Sequence, residues 1–181
     1  MAFTGEDHRG RPIRASLTTV HVPLSRVPGL IRRDRVLRTI EMSHAALRDQ
    51  LQIAAPRLAV CGLNPHAGES GVLGREEIEE IAPACALARA QGIDAEGPIS
   101  AETAFLESDR FDLIVAMYHD QALVPLKALG FGRCVNWTLG LPIVRTSVDH
   151  GTADALVGTG RANPGSLLAA LRLAAQLRPT R

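Results

Sequence analysis

Aromatic side chains are scarce: Phe, Trp and Tyr make up 3% of the 181 residues. The core must then be built from Leu, Val, Ile and Ala, and stacking platforms for single-stranded nucleic acid are disfavoured. Cysteine occurs three times, at Cys61, Cys85 and Cys134, an odd number with no C-x-x-C spacing. That argues against a disulfide framework or a thiolate zinc site and favours a reducing compartment. Charge of one sign is also lacking. The formal net charge is +1, and the run Arg32-Arg33-Asp34-Arg35 is broken by an acid, so no basic face for a phosphate backbone is expected and no nucleic-acid partner with it. No apolar run reaches the length of a membrane span, and the polar, acidic start from Met1 to Asp7 does not read as a signal peptide. A soluble, cytoplasmic protein with no membrane partner is the expectation.

Lysine is the rarest charged residue. Of 20 Lys and Arg residues, one is lysine, Lys127. Either composition has drifted toward Arg, or this position needs a compact ammonium that a guanidinium cannot replace.

What is present is ordinary globular material, 46% hydrophobic and 22% charged, enough for a real core. Residues 1–13 read as a flexible polar lead, and residues 14–181 as a single α/β domain. Strands are expected at 14–20, 57–63, 112–117, 134–139 and 143–147, from β-branched or continuous apolar runs. Helices are expected from Asp34 to Leu51, from Arg75 to a stop at Gly92, over 101–106, from Gln121 to Leu129, and from a cap at Asn163-Pro164 to Leu177. Strands alternating with helices predict a layered sheet, substantially parallel.

Three histidines fall at or just beyond strand ends. His21 follows Thr18-Thr19-Val20, His66 lies in the polar loop after residues 57–63, and His119 follows the strand ending at Met117. In parallel sheets the loops beyond strand carboxyl ends bind ligands, and three imidazoles there could hold one divalent ion with positions open for substrate. The alternative is three unrelated loop histidines; His8 and His44 read as bystanders. Lys127, Asn136 and Arg145 could together bind a phosphorylated or carboxylated small molecule, or Lys127 and Arg145 could be surface ion-pairing residues. The apolar flanks of Arg145 predict burial against an anion. Gly158, Gly160 and Asn163 form a weak ligand-loop signal. It is not G-x-G-x-x-G, because Asn163 stands at the third position.

The segments Thr18 to Leu24, Gly62 to Glu69, Met117 to Gln121, Val135-Asn136 with Thr138 to Pro142, and Arg145 to Ala153 resemble the 4-hydroxythreonine-4-phosphate dehydrogenase family of pyridoxal phosphate biosynthesis. The resemblance runs in order from about Arg14 to the end. It implies a three-layer α/β fold similar to isocitrate and isopropylmalate dehydrogenases. It also implies an NAD-dependent, divalent-metal-dependent oxidative decarboxylation of 4-phosphohydroxy-L-threonine, or of a related phosphorylated hydroxy acid such as 4-phospho-D-erythronate. The implied metal ligands are His21, His66 and His119, holding Zn, Mg or Co in a site shared across a homodimer, two ligands from one subunit and the third from its partner; the expected grouping is His21 and His66 with His119 of a second chain. The implied substrate residues are Lys127, Asn136 and Arg145, with Lys127 also the candidate to shuttle a proton. His150, Gly151, Gly158, Gly160 and Asn163 correspond to the nucleotide-binding region. Val20 departs from the pattern, since family members usually run Thr-Thr-His. The family's N-terminal portion has no counterpart here. The expectation is therefore either an enzyme whose missing portion is supplied elsewhere, or an inactive, metal-binding dimer.

Overall fold

The computed structural model describes residues 1–130 and 134–179. Residues 131–133 and 180–181, which the sequence assigns to the 14–181 domain, lie outside the described residues. One seven-stranded sheet runs through the chain in the order β4-β3-β5-β2-β1-β6-β7. Its strands are β1 (Ala2–Glu6), β2 (Pro12–Leu17), β3 (Arg57–Cys61), β4 (Asp94–Ile99), β5 (Leu113–Ala116), β6 (Val135–Trp137) and β7 (Thr146–Val148). β4, β3, β5 and β2 are parallel, whereas β1, β6 and β7 add on as antiparallel neighbours.

Side chains alternate across this sheet because successive strand residues point to opposite faces. Leu58, Val60, Leu113, Val115 and Met117 face one core, together with Val27 and Ile31 at the short helix α1 (Val27–Leu30). The same core takes Val36, Ile40 and Leu47 from α2 (Arg33–Asp49), and Ala84, Cys85 and Ala88 from α3 (Ala82–Ala90). Ala59, Cys61, Ile114 and Ala116 face the other core. There they meet Ala104 and Phe105 of α4 (Ala101–Leu106), and Ala122, Leu123 and Leu126 of α5 (His119–Gly130). The result is helix, sheet, helix: the three-layer α/β arrangement. The last helix, α6 (Gly165–Gln176), joins a third cluster around the fully buried Trp137. No helix among the described residues is long and apolar enough to cross a membrane.

The amino-terminal residues correct the sequence expectation. They are not a frayed lead: Ala2 and Phe3 are buried, and β1 pairs along its whole length with β2. Asp7 closes the turn, its carboxylate accepting the backbone N–H groups of Arg9 and Arg11, each at 2.8 Å, and the Arg11 Nε–H at 2.9 Å. β4 is a second strand the sequence did not suggest. At the last helix, Asn163 Oδ1 accepts Gly165 N–H at 2.9 Å, and the helix begins one residue later than expected.

Candidate functional site

Strands β2 and β5 lie side by side in parallel, with Leu17 opposite Ala116. The pairing continues past both strand ends: Thr18 and Thr19 donate their N–H groups to the carbonyls of Ala116 and Met117, and Thr19 Oγ1 adds a bond of 2.7 Å to the latter. Two chains leaving the sheet in step deliver His21 and His119 to the same place. Their ring centroids stand 5.3 Å apart, tilted by 49°. They line a cavity of about 350 Å³ with Val20, Val22, Tyr118 and Asp120.

The donor set suits a divalent ion. Two imidazoles on one tetrahedral ion, each nitrogen at about 2.1 Å, have centroids about 5 Å apart. His119 Nδ1 lies 2.7 Å from Asp120 Oδ1. A carboxylate there fixes the tautomer and leaves Nε2 for a ligand.

The expected grouping of His21 with His66 is corrected: His21 pairs with His119 of the same chain because β2 and β5 are neighbours, and His66 does not join them within one chain. Among the described residues no group of three or more His, Cys, Asp or Glu side chains is placed to hold a metal ion. His66 instead sits exposed in a left-handed turn, Pro65–Gly71, in which His66, Ala67, Gly68, Glu69 and Ser70 all have φ between 45° and 80°. Left-handed backbone costs a non-glycine residue roughly 1 kcal/mol or more, so such a run persists only where its surroundings hold it. Two side chains do so. Glu77, 2% exposed, accepts the N–H groups of Leu63 and Asn64 at 2.8 and 2.7 Å and the Asn64 side-chain amide at 3.0 Å. Burial pushes its pKa up, but those hydrogen bonds outweigh it and the net shift is downward. Gln121 bridges the two loops, its Oε1 accepting Met117 N–H at 2.7 Å and its Nε2 donating to the Gly62 carbonyl at 2.8 Å. Both were missed from sequence. Glu77 read as an ordinary acid at a helix start, and nothing in its spacing shows that it folds back onto residues 13 and 14 positions earlier.

The remaining candidates are arranged less compactly. Asn136 lies on β6 and Arg145 just ahead of β7, in one hairpin. Asn136 Oδ1 is buried without a protein partner among the described residues. Arg145 is exposed, not buried as its flanks suggested, and donates to Thr138 Oγ1 at 2.8 Å. Lys127, on α5, approaches Asp149, 3.4 Å from its carbonyl and 3.8 Å from its carboxylate. Residues 150–163 form a loop that is exposed almost throughout. Gly158 and Gly160 are left-handed there with open space around them, and His150 Nδ1 lies 2.9 Å from the Gly151 carbonyl. The three cysteines are free and buried, and burial pushes the Cys61 thiol up to about 12.

The mixed seven-stranded sheet with helices on both faces is an α/β fold, and the solved structures it superposes on are dehydrogenases of that class. Residues 1–174 match the family described as pyridoxal phosphate biosynthetic protein PdxA, and the chain belongs to it. The 4-hydroxythreonine-4-phosphate dehydrogenase of Pseudomonas putida is 52% identical over 173 residues, which cover 94% of this chain and 53% of that protein. The enzyme of the same name from Burkholderia vietnamiensis is 53% identical over 175 residues, covering 94% and 52%. The chain thus spans about half the length of these curated relatives. The crystal structure of 4-hydroxythreonine-4-phosphate dehydrogenase from Klebsiella pneumoniae superposes with a TM-score of 0.84 at 38% identity, covering 96% of this chain and 53% of that one. A terephthalate 1,2-cis-dihydrodiol dehydrogenase from Burkholderia xenovorans gives 0.76 at 30% identity, covering 97% and 55%.

Proposed function

We propose that this chain carries the divalent-metal and substrate half of an NAD-dependent dehydrogenase that oxidises 4-phosphohydroxy-L-threonine in pyridoxal phosphate biosynthesis. The observation that carries the reading is the His21–His119 pair at 5.3 Å, in a member of a family whose curated relatives bear that enzyme's name. A bound divalent ion supplies a Lewis acid that lowers the pKa of the substrate hydroxyl. NAD⁺, when bound, would supply the hydride acceptor for the carbon that bears this hydroxyl, and the oxidised product, a β-keto acid, would be able to lose CO₂.

The chain's own residues supply binding and orientation. Asp120 holds the His119 ring in one tautomer. Asn136 offers a buried amide oxygen that a substrate hydroxyl or ammonium can satisfy, and leaving it unpaired is unfavourable. Lys127 and Arg145 supply charge for the phosphate and carboxylate, and Lys127 is the candidate proton carrier. The exposed loop with His150, Gly151, Gly158, Gly160 and Asn163 gives NAD an accessible backbone. His66 completes the ligand set from a second copy of the chain. Exposed apolar side chains flank its turn, Val72 at 79% and Leu73 and Ile78 near 45%, as expected of a face covered by a partner.

NADH formation at 340 nm with 4-phosphohydroxy-L-threonine and Zn²⁺, Mg²⁺ or Co²⁺ tests the reading. Activity that vanishes in His119→Ala is the expected result; a protein that binds none of these ions and forms no NADH refutes it. The likeness to the cis-dihydrodiol dehydrogenase favours a second reading, the same oxidation on another secondary alcohol. Phosphoerythronate and a cis-diol in the same assay separate the two. Metal uptake with no turnover on any of them would mark a non-catalytic metal-binding dimer.

A further inference from the structure

Glu77 is a buried carboxylate that holds the left-handed turn but has no part yet in the proposed chemistry. It opens a π-helical stretch, Glu77–Ile81, a local departure from α geometry that is frequent at functional sites. No Lys or Arg forms an ion pair with it among the described residues, so it is not part of a structural salt bridge. It accepts hydrogen bonds from Leu63 N–H, Asn64 N–H and the Asn64 side-chain amide, the entry to the left-handed turn. It also fills the space over the turn itself. A Cβ on Gly68 would stand 2.6 Å from Glu77 Oε2, and one on Gly62 would stand 3.1 Å from Oε1. One carboxylate thus holds the entry to the segment that presents His66 and packs against its middle.

We propose that Glu77 is the positioning residue of the metal centre, fixing the strained 65–71 turn so that His66 is presented to a partner copy. The inference rests on the metal-centre reading above. Glu77 then acts on the ion through the turn that carries His66. Glu77→Gln keeps the size but sets an NH₂ group where Asn64 Nδ2 needs an acceptor, and Asn64 cannot flip freely because it also donates to Glu76 at 2.8 Å.

The test is zinc affinity by equilibrium dialysis on the full chain, for wild type, Glu77→Gln, His66→Ala and the double variant, with melting in EDTA to report the metal-free fold. Loss of a partner that orients a ligand weakens metal binding roughly tenfold to a hundredfold, and that loss is expected for Glu77→Gln. In the His66→Ala background the same substitution should add nothing, since residues acting as one unit are non-additive. Should Glu77→Gln unfold the chain, Gly68→Ala strains the same contact from the loop side and takes its place in the series. Unchanged zinc affinity in Glu77→Gln overturns the proposal alone, as does a further loss in the His66→Ala background, which would mark a general structural role. A wild-type protein that takes up no zinc overturns the metal-centre reading as well.

Discussion

His119 shows how much one side chain's surroundings decide. It opens α5 and has a carboxylate behind it and a second imidazole in front. Replacing Asp120 with Ala removes the group that fixes the ring's tautomer. Zinc affinity should fall by roughly tenfold to a hundredfold while the metal-free melting point holds; calorimetric titration reads the first and a melt in EDTA the second. Asp7 makes a pH prediction at the same scale. The Arg11 backbone N–H does most to hold its carboxyl down; burial opposes, and the net value is about 2 against an ordinary 3.8. A depressed folded pKa means that Asp7 stabilises the protein fully above the ordinary value. That contribution is lost as pH falls from there toward 2. Urea unfolding at a series of pH values from 5 to 2.5 should show a shallower loss of stability for Asp7→Asn than for wild type. Equal slopes would contradict the assignment.

At the scale of elements, the strands that carry the site were legible, whereas β1 and β4 were not. β3 and β5 are continuous apolar runs, which in a sheet covered on both faces is what burial demands. β4 hides because its Asp, Glu, Gly and Pro read as loop; a strand with one free edge tolerates them, since half its backbone needs no partner. β1 hides because its two apolar residues, Ala2 and Phe3, are adjacent and followed by Thr, Gly and Glu, with no alternation to mark a strand; β2 and β6 flank and pair with it. Trp137 is the residue that locks this added antiparallel part. It is fully buried, and its indole N–H donates to Gln50 Oε1 at 2.9 Å, joining β6 to the end of α2. Trp137→Ala should cost about 3–5 kcal/mol in urea unfolding. A loss under about 1 kcal/mol would mean that β6 contributes little to the fold.

For the molecule as a whole, order along the chain and closeness in space part company. His21 and His119 are distant in sequence and adjacent because β2 and β5 are neighbours, which no spacing rule encodes. The turn geometry of His66 was equally illegible, because it depends on Glu77 folding back from the next helix. The family, by contrast, was legible from five short segments read together. The single chain supplies two imidazoles in one place and a third on an exposed turn, and the proposal built on them is one ion, three histidines, two copies. Co-expressing His66→Ala with His119→Ala and measuring zinc in the mixed dimer tests it directly. Each variant alone should bind weakly at best. The mixed dimer should regain one tight zinc, because one chain contributes His21 and His119 and the other its intact His66. A mixed dimer that stays as empty as its parents would show that the ligands are not shared, and would contradict the account.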